Sequence, residues 1–227
     1  MNHLAVALDY SDQDAALSLY QRLEGRAGLF KVGSQLFTAA GPAVVRTLVE
    51  RGAPVFLDLK FHDIPRTVAA ASREAAKLGV KIFNVHAAGG LEMLRAAVSA
   101  SREVRPQTKV IAVTVLTSLS ATEDEVLRLA ESAREAGLDG VVAASREMRA
   151  LRRTFGPDFL LVNPGVRPVW AATGDDQKRV ATPAEAVSEG ADYIVVGRPI
   201  TAAADPAAAA ARIIDEISAV EAGGAVR

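Results

Sequence analysis

Short apolar runs alternate with longer amphipathic stretches from one end of this chain to the other. Runs of this kind, bounded by turn residues, read as buried strands. They predict strands over Leu4–Leu8, Leu29–Val32, Val55–Leu59, Ile82–Val85, Val110–Val115, Gly140–Ala143, Leu160–Val162 and Tyr193–Val196. The stretches between them repeat apolar positions at helical spacing. They predict helices over Gln13–Leu23, Gln35–Glu50, Thr67–Lys77, Leu91–Arg102, Glu123–Ala136, Arg146–Thr154, Pro183–Ser188 and Pro206–Val220. Gly52, Gly79, Gly137 and Gly190 each follow a helical pattern, where a glycine in the left-handed conformation ends the helix. Eight strand–helix repeats predict an α/β fold, a parallel sheet closed as a (β/α)8 TIM barrel. An open doubly wound sheet is the other arrangement the alternation allows. No linker or long repeat divides residues 1–227, so one catalytic domain is expected.

The polar residues gather at the predicted strand ends. Asp9 ends the first strand, Lys31 sits in the second, and Asp58 and Lys60 end the third. His86, Thr117 with Ser118, Asn163 and Gly197-Arg198 follow on the fourth, fifth, seventh and eighth. Active sites of barrels lie at this rim. The densest stretch is Phe56-Leu57-Asp58-Leu59-Lys60-Phe61-His62-Asp63-Ile64-Pro65. Side chains two apart on a strand share a face, so Asp58 and Lys60 point one way and Leu57 and Leu59 the other. Charges are costly to bury unless paired. The pair is therefore either a structural cap on the strand or the centre of a site.

Composition removes several function classes. The net charge is −1 and basic residues are dispersed, so no nucleic-acid partner is expected. There is no cysteine, which excludes thiolate metal sites and fits a reducing, cytoplasmic setting. The N-terminal residues lack the basic and apolar regions of a signal peptide. No apolar window is long enough to predict a membrane span. His3, His62 and His86 are scattered, and no metal site is expected. Asp58 and Asp63 could in principle hold Mg²⁺, but Lys31 and Lys60 would place competing charge beside it.

Gly197, Arg198 and Pro199 follow the last strand, where barrels often build a phosphate site. Gly197 allows close backbone approach, and Arg198 presents a fork of donors. Gln177 lies on the long segment between Pro164 and Ala181, which has the length of a lid. Trp170 either packs on closure or rests on the neighbouring surface. Acid–base chemistry by Lys and Asp on a phosphorylated small molecule remains, with a Schiff-base lysine as an alternative.

These residues resemble the orotidine 5′-phosphate decarboxylase family, in its bacterial type. The resemblance rests on Asp58-Leu59-Lys60-Phe61-His62-Asp63-Ile64-Pro65 followed by Thr67, and on Ala5 to Asp9 and Phe30-Lys31-Val32-Gly33. It continues through Val85 to Gly90, Val113 to Ser118, Pro164-Gly165-Val166-Arg167-Pro168, Asp176 to Arg179, Thr182-Pro183 and Val196 to Ile200. Arg66 stands where a smaller polar residue such as Asn is expected.

The resemblance implies decarboxylation of orotidine 5′-monophosphate to uridine 5′-monophosphate, the last step of de novo pyrimidine synthesis, with no metal and no organic cofactor. It implies a catalytic network of Lys31, Asp58, Lys60 and Asp63, with Lys60 as the proton donor. Asp63, Ile64 and Thr67 would reach the neighbouring subunit's site, making a homodimer with shared active sites. Asp9 and Lys31 would hold the ribose, and Thr117 the pyrimidine. Pro164 and Arg167 would root the lid, while Gln177, Gly197 and Arg198 would meet the phosphate. Related Mg²⁺-dependent phosphosugar decarboxylases and synthases share the Asp-x-Lys-x-x-Asp spacing. They usually need an acidic ligand after the second strand, where this chain has Lys31. A non-catalytic phosphoribosyl-binding barrel is the third reading.

Overall fold

The computed structural model describes residues 2–171 and 181–224. Eight strands form its centre: β1 (Leu4–Ala7), β2 (Leu29–Gly33), β3 (Val55–Phe61), β4 (Ile82–His86), β5 (Lys109–Val113), β6 (Gly140–Val142), β7 (Leu160–Pro164) and β8 (Tyr193–Val196). All neighbours pair in parallel. β1 also pairs with β8, so the sheet closes into a barrel rather than remaining open.

The outer layer is α1 (Gln13–Leu23), α2 (Ser34–Glu50), α3 (Pro65–Lys77), α4 (Gly90–Val104), α5 (Glu123–Glu135), α6 (Met148–Phe155), α7 (Pro183–Ser188), α8 (Arg198–Thr201) and α9 (Pro206–Gly224). Local chemistry explains their limits. Asp12, Thr122 and Thr182 each accept a backbone N–H in the first turn of a helix. Gly52, Gly79, Gly137 and Gly190 all have positive φ at helix ends, as predicted.

Strand alternation sorts the core into two parts. Ala5, Leu29, Phe56, Ile82, Ile111, Val142, Val162 and Tyr193 belong to the cluster inside the barrel. Their sequence neighbours, such as Phe30, Leu57 and Phe83, pack outward in the larger cluster with the helices. The inward positions continue by twos toward the C-terminal rim: Ala7 to Asp9, Leu29 to Lys31, Phe56 to Asp58, and Ile82 to Asn84. The apolar interior therefore gives way to charge at that rim. The opposite end is closed by structural carboxylates. Asp139 accepts from Val110 N, and Asp192 from Leu161 N and Arg152.

Four local features differ from the sequence expectation. α2 is kinked, because Gly41 has φ 65 and Pro42 follows it without an N–H to donate. β5 ends at Val113 rather than Val115. β3 runs on to Phe61 through a register shift against β4. Arg198 opens a short helix, α8, that the apolar pattern does not predict.

Candidate active site

At the C-terminal rim the Asp58 carboxylate lies between two ammonium groups. Lys60 Nζ donates to Asp58 Oδ1 at 2.6 Å, and Lys31 Nζ lies 3.6 Å from Asp58 Oδ2. Lys31 also donates to Asp9 Oδ1 at 3.0 Å. The order Asp9, Lys31, Asp58, Lys60 is thus an alternating row carried by β1, β2 and β3. Lys31 is deeply buried and Lys60 about one-third exposed. Alternation of sign makes this burial tolerable. Gly33 leaves room for the row: a Cβ there would sit 2.9 Å from Lys31 Nζ and displace the ammonium.

Burial alone would push the Asp58 carboxyl up. The Lys31 and Lys60 charges and the hydrogen bonds from Lys60 and Asn84 outweigh it and hold the group below the usual carboxylate range. A carboxylate fixed as an anion beside an ammonium can repel a substrate anion while the ammonium delivers a proton. His86 stacks near His62, with ring centroids 5.3 Å apart. Burial first, then the nearby His62 and Lys60, lowers the His86 pKa against the opposing pull of Asp58.

Lys31, Asp58 and Lys60 line a cavity of ≈180 Å³ with Thr117, Pro164, Val113 and Val195. An adjacent cavity of ≈330 Å³ is lined by Arg167, Trp170, Arg198 and Pro199. Both are lined from the ends of β7 and β8 and the segments after them: Pro164 and Val195 line the first, Arg167 and Arg198 the second. A Cβ on Gly197, the residue before Arg198, would lie 4.0 Å from Asp9 Oδ2. Trp170 rests against the barrel's last helix, its ring 4.7 Å from the Arg212 guanidinium.

Thus Asp9, Lys31, Asp58, Lys60, Thr117, Pro164, Arg167, Gly197 and Arg198 come together at one rim. Asp63, Ile64 and Thr67 do not join the row within this chain. Asp63 is exposed and accepts from Ile64 N, and Ile64 is 64% exposed. Gln177 lies outside the described residues, as do Thr173 to Asp176 of the segment expected to form a lid. Asn163, expected at the rim, ties two strand ends together: it accepts from Ser145 Oγ and donates to Ala143 O. Asn84 was missed. It donates to Asp58 Oδ1 at 2.7 Å and accepts from Lys60 N at 2.8 Å. The available signal was a lone polar residue at an inward position of an otherwise apolar strand. Among the described residues, no three His, Asp or Glu side chains are arranged to hold a metal ion.

Residues 2–213 match the model of the orotidine 5′-phosphate decarboxylase / HUMPS family. The chain belongs to that family. It is 55% identical to an orotidine 5′-phosphate decarboxylase of Moorella thermoacetica over 96% of this chain and 93% of the relative. It is 55% identical to the enzyme of that name from Geobacter sulfurreducens over 94% and 95% of the two chains. A crystal structure of orotidine 5′-phosphate decarboxylase from Lactobacillus acidophilus superposes with a TM-score of 0.84. That chain is 36% identical, and the match covers 96% of this chain and 99% of the other. The family expected from the motifs is therefore met, as is the expected enzyme class, since these curated relatives are carboxy-lyases.

Proposed function

We propose that this protein decarboxylates orotidine 5′-monophosphate to uridine 5′-monophosphate, closing de novo pyrimidine synthesis. The observation that carries the reading is the Lys31–Asp58–Lys60 row beside an arginine-lined cavity. The substrate's phosphate goes to Arg167, Gly197 and Arg198, with Gln177 joining from the lid. The ribose lies along Asp9 and Lys31, and the pyrimidine against Thr117. The C6 carboxylate then faces Asp58. As the C6–carboxyl bond breaks, the electron pair stays on C6 and CO₂ leaves. The carbanion lies in the ring plane, where the π system cannot delocalise it. The Lys60 ammonium stabilises it and transfers its proton to C6. The phosphate is remote from C6, so its binding serves orientation and lid closure.

The reading needs neither metal nor organic cofactor. A cation seated beside Asp58 would meet the Lys31 ammonium, which already bridges Asp9 and Asp58. The reading also makes the enzyme a homodimer. Asp63 stands apart from the row of its own chain, and the exposed apolar Ile64, Leu116 and Leu119 lie on the loops of the same rim. Asp63, Ile64 and Thr67 then complete the partner's site. A cysteine-free biosynthetic enzyme fits the cytoplasm. No helix among the described residues is long and apolar enough to cross a membrane.

The test is the absorbance change of orotidine 5′-monophosphate after prolonged exposure of the protein to EDTA. Undiminished turnover supports the reading. Activity restored only by added Mg²⁺ moves the assignment to the phosphosugar enzymes, and binding without turnover moves it to a binding barrel.

A further inference from the structure

Between the pairs Leu57↔Phe83 and Phe61↔Val85 the β3–β4 register shifts. Asp58, Leu59 and Lys60 stand there opposite the single residue Asn84. The backbone ladder cannot be completed across such a mismatch. Lys60 has φ 54, the only non-glycine residue with positive φ among those described. A residue bearing a Cβ stays in that region only when its surroundings hold it there.

The Asn84 side chain fills the gap. Its Oδ1 accepts from Lys60 N at 2.8 Å and its Nδ2 donates to Asp58 Oδ1 at 2.7 Å. The same Asp58 oxygen receives Lys60 Nζ at 2.6 Å. One planar amide therefore braces the backbone of the lysine and the carboxylate beside it. Asn84 is 1% exposed and lies behind the cavity wall that Lys31, Asp58 and Lys60 form. A carboxamide of this length has donor and acceptor in one plane. Aspartate would keep the bond to Lys60 N but turn a second carboxylate on Asp58. Alanine would leave a buried N–H without a partner and release Lys60 from its conformation.

We propose that Asn84 is a positioning residue for decarboxylation: it acts through Lys60 and Asp58, setting where the ammonium meets the reacting carbon, without touching the substrate. The proposal rests on the decarboxylase reading above.

Asn84→Ala, Asn84→Ser and Asn84→Asp, compared with wild type, test it. Steady-state turnover of orotidine 5′-monophosphate is measured, with UMP binding by calorimetry and folding by circular dichroism. Asn84→Ala should lower kcat by about 10²-fold, the scale of a displacement of about 1 Å between reacting groups. KM and UMP affinity should stay within about threefold, since the phosphate and ribose contacts are untouched. Asn84→Ser, which keeps one short polar group, should recover part of kcat, and Asn84→Asp should be the slowest. A folded Asn84→Ala enzyme with kcat within about threefold of wild type overturns the proposal. So does a loss of kcat matched by an equal loss of UMP affinity. If Asn84→Ala does not fold, Asn84→Ser is read in its place; if neither folds, Asn84 serves folding and the positioning role is rejected. A wild-type chain without turnover overturns the decarboxylase reading itself, whereas an active wild type with an equally active Asn84→Ala overturns only the role of Asn84.

Discussion

Lys60→Ala removes the ammonium that lies 2.6 Å from Asp58 Oδ1. In the proposed reaction the same group faces a carbanion at comparable range. Unit charges at that separation attract by about 6 kcal/mol at an effective dielectric constant of about 20. The Lys60 side chain is 35% exposed. Water therefore screens part of the attraction, and about half of it, roughly 3 kcal/mol, is taken as the transition-state share. That share is worth about 10²-fold in rate. Loss of a positioned proton source adds about 10²–10⁴-fold. The expected fall in kcat is therefore about 10⁴–10⁶-fold. UMP lacks the carboxylate and is held through the arginine-lined cavity, so its affinity should stay within about threefold. Single-turnover decarboxylation with enzyme in excess measures the chemical step, and calorimetry measures UMP binding separately. A Lys60→Ala enzyme that binds UMP normally and keeps more than about a tenth of the wild-type rate, a barrier change below ~1.4 kcal/mol, would falsify the role of Lys60.

Three further outcomes are expected. Arg198→Ala should lower kcat/KM by roughly 2–5 kcal/mol equivalent, and added phosphite should speed turnover of a substrate lacking phosphate more in wild type than in the variant; an equal response removes Arg198 from the phosphate site. Mixing the inactive chains Lys60→Ala and Asp63→Ala should restore part of the activity through one hybrid site with both residues intact; if subunits exchange and no activity returns, Asp63 acts within its own chain. Asp58 has a depressed pKa in the folded protein, so its contribution to stability is complete above the ordinary value of 3.8 and is lost as pH falls through the folded value. Asp58→Asn should flatten the acid limb of a stability–pH curve below that value, and an unchanged limb refutes the linkage.

The barrel was legible because strand and helix periods differ and several helix ends carry a glycine or a cap. The rim charges were legible for the same reason: position along a strand predicts which end of the barrel a residue reaches. What stayed hidden is backbone geometry without a periodic signal. Gln35 to Glu50 reads as one amphipathic helix, because the apolar spacing carries across Gly41 and Pro42 although the axis bends there. Alternation placed Asp58 and Lys60 correctly on one face, but it could not show that Lys60 has left the pleat. The register shift that puts it there depends on β4, a partner the local sequence does not specify. Asn84 was hidden with it, since its bracing contacts exist only where the two strands fall out of step. α8 spans four residues, too few for a helical repeat to show.

Barrel closure has a consequence for synthesis. Leu4, Ala5 and Val6 pair with Ile194, Val195 and Val196, so the first strand waits for the last. When β4 has left the ribosome, Asp9, Lys31, Asp58, Lys60 and Asn84 have all been made, and neither Arg167 nor Arg198 exists. Until β8 docks, β1 is an open edge, and its final pairing spans nearly the full chain, a slow kind of contact to form. A polypeptide stalled or cut after β4 and before Arg167 therefore contains every residue of the rim row and neither arginine of the adjoining cavity. Turnover is therefore a report that translation finished and the two ends met.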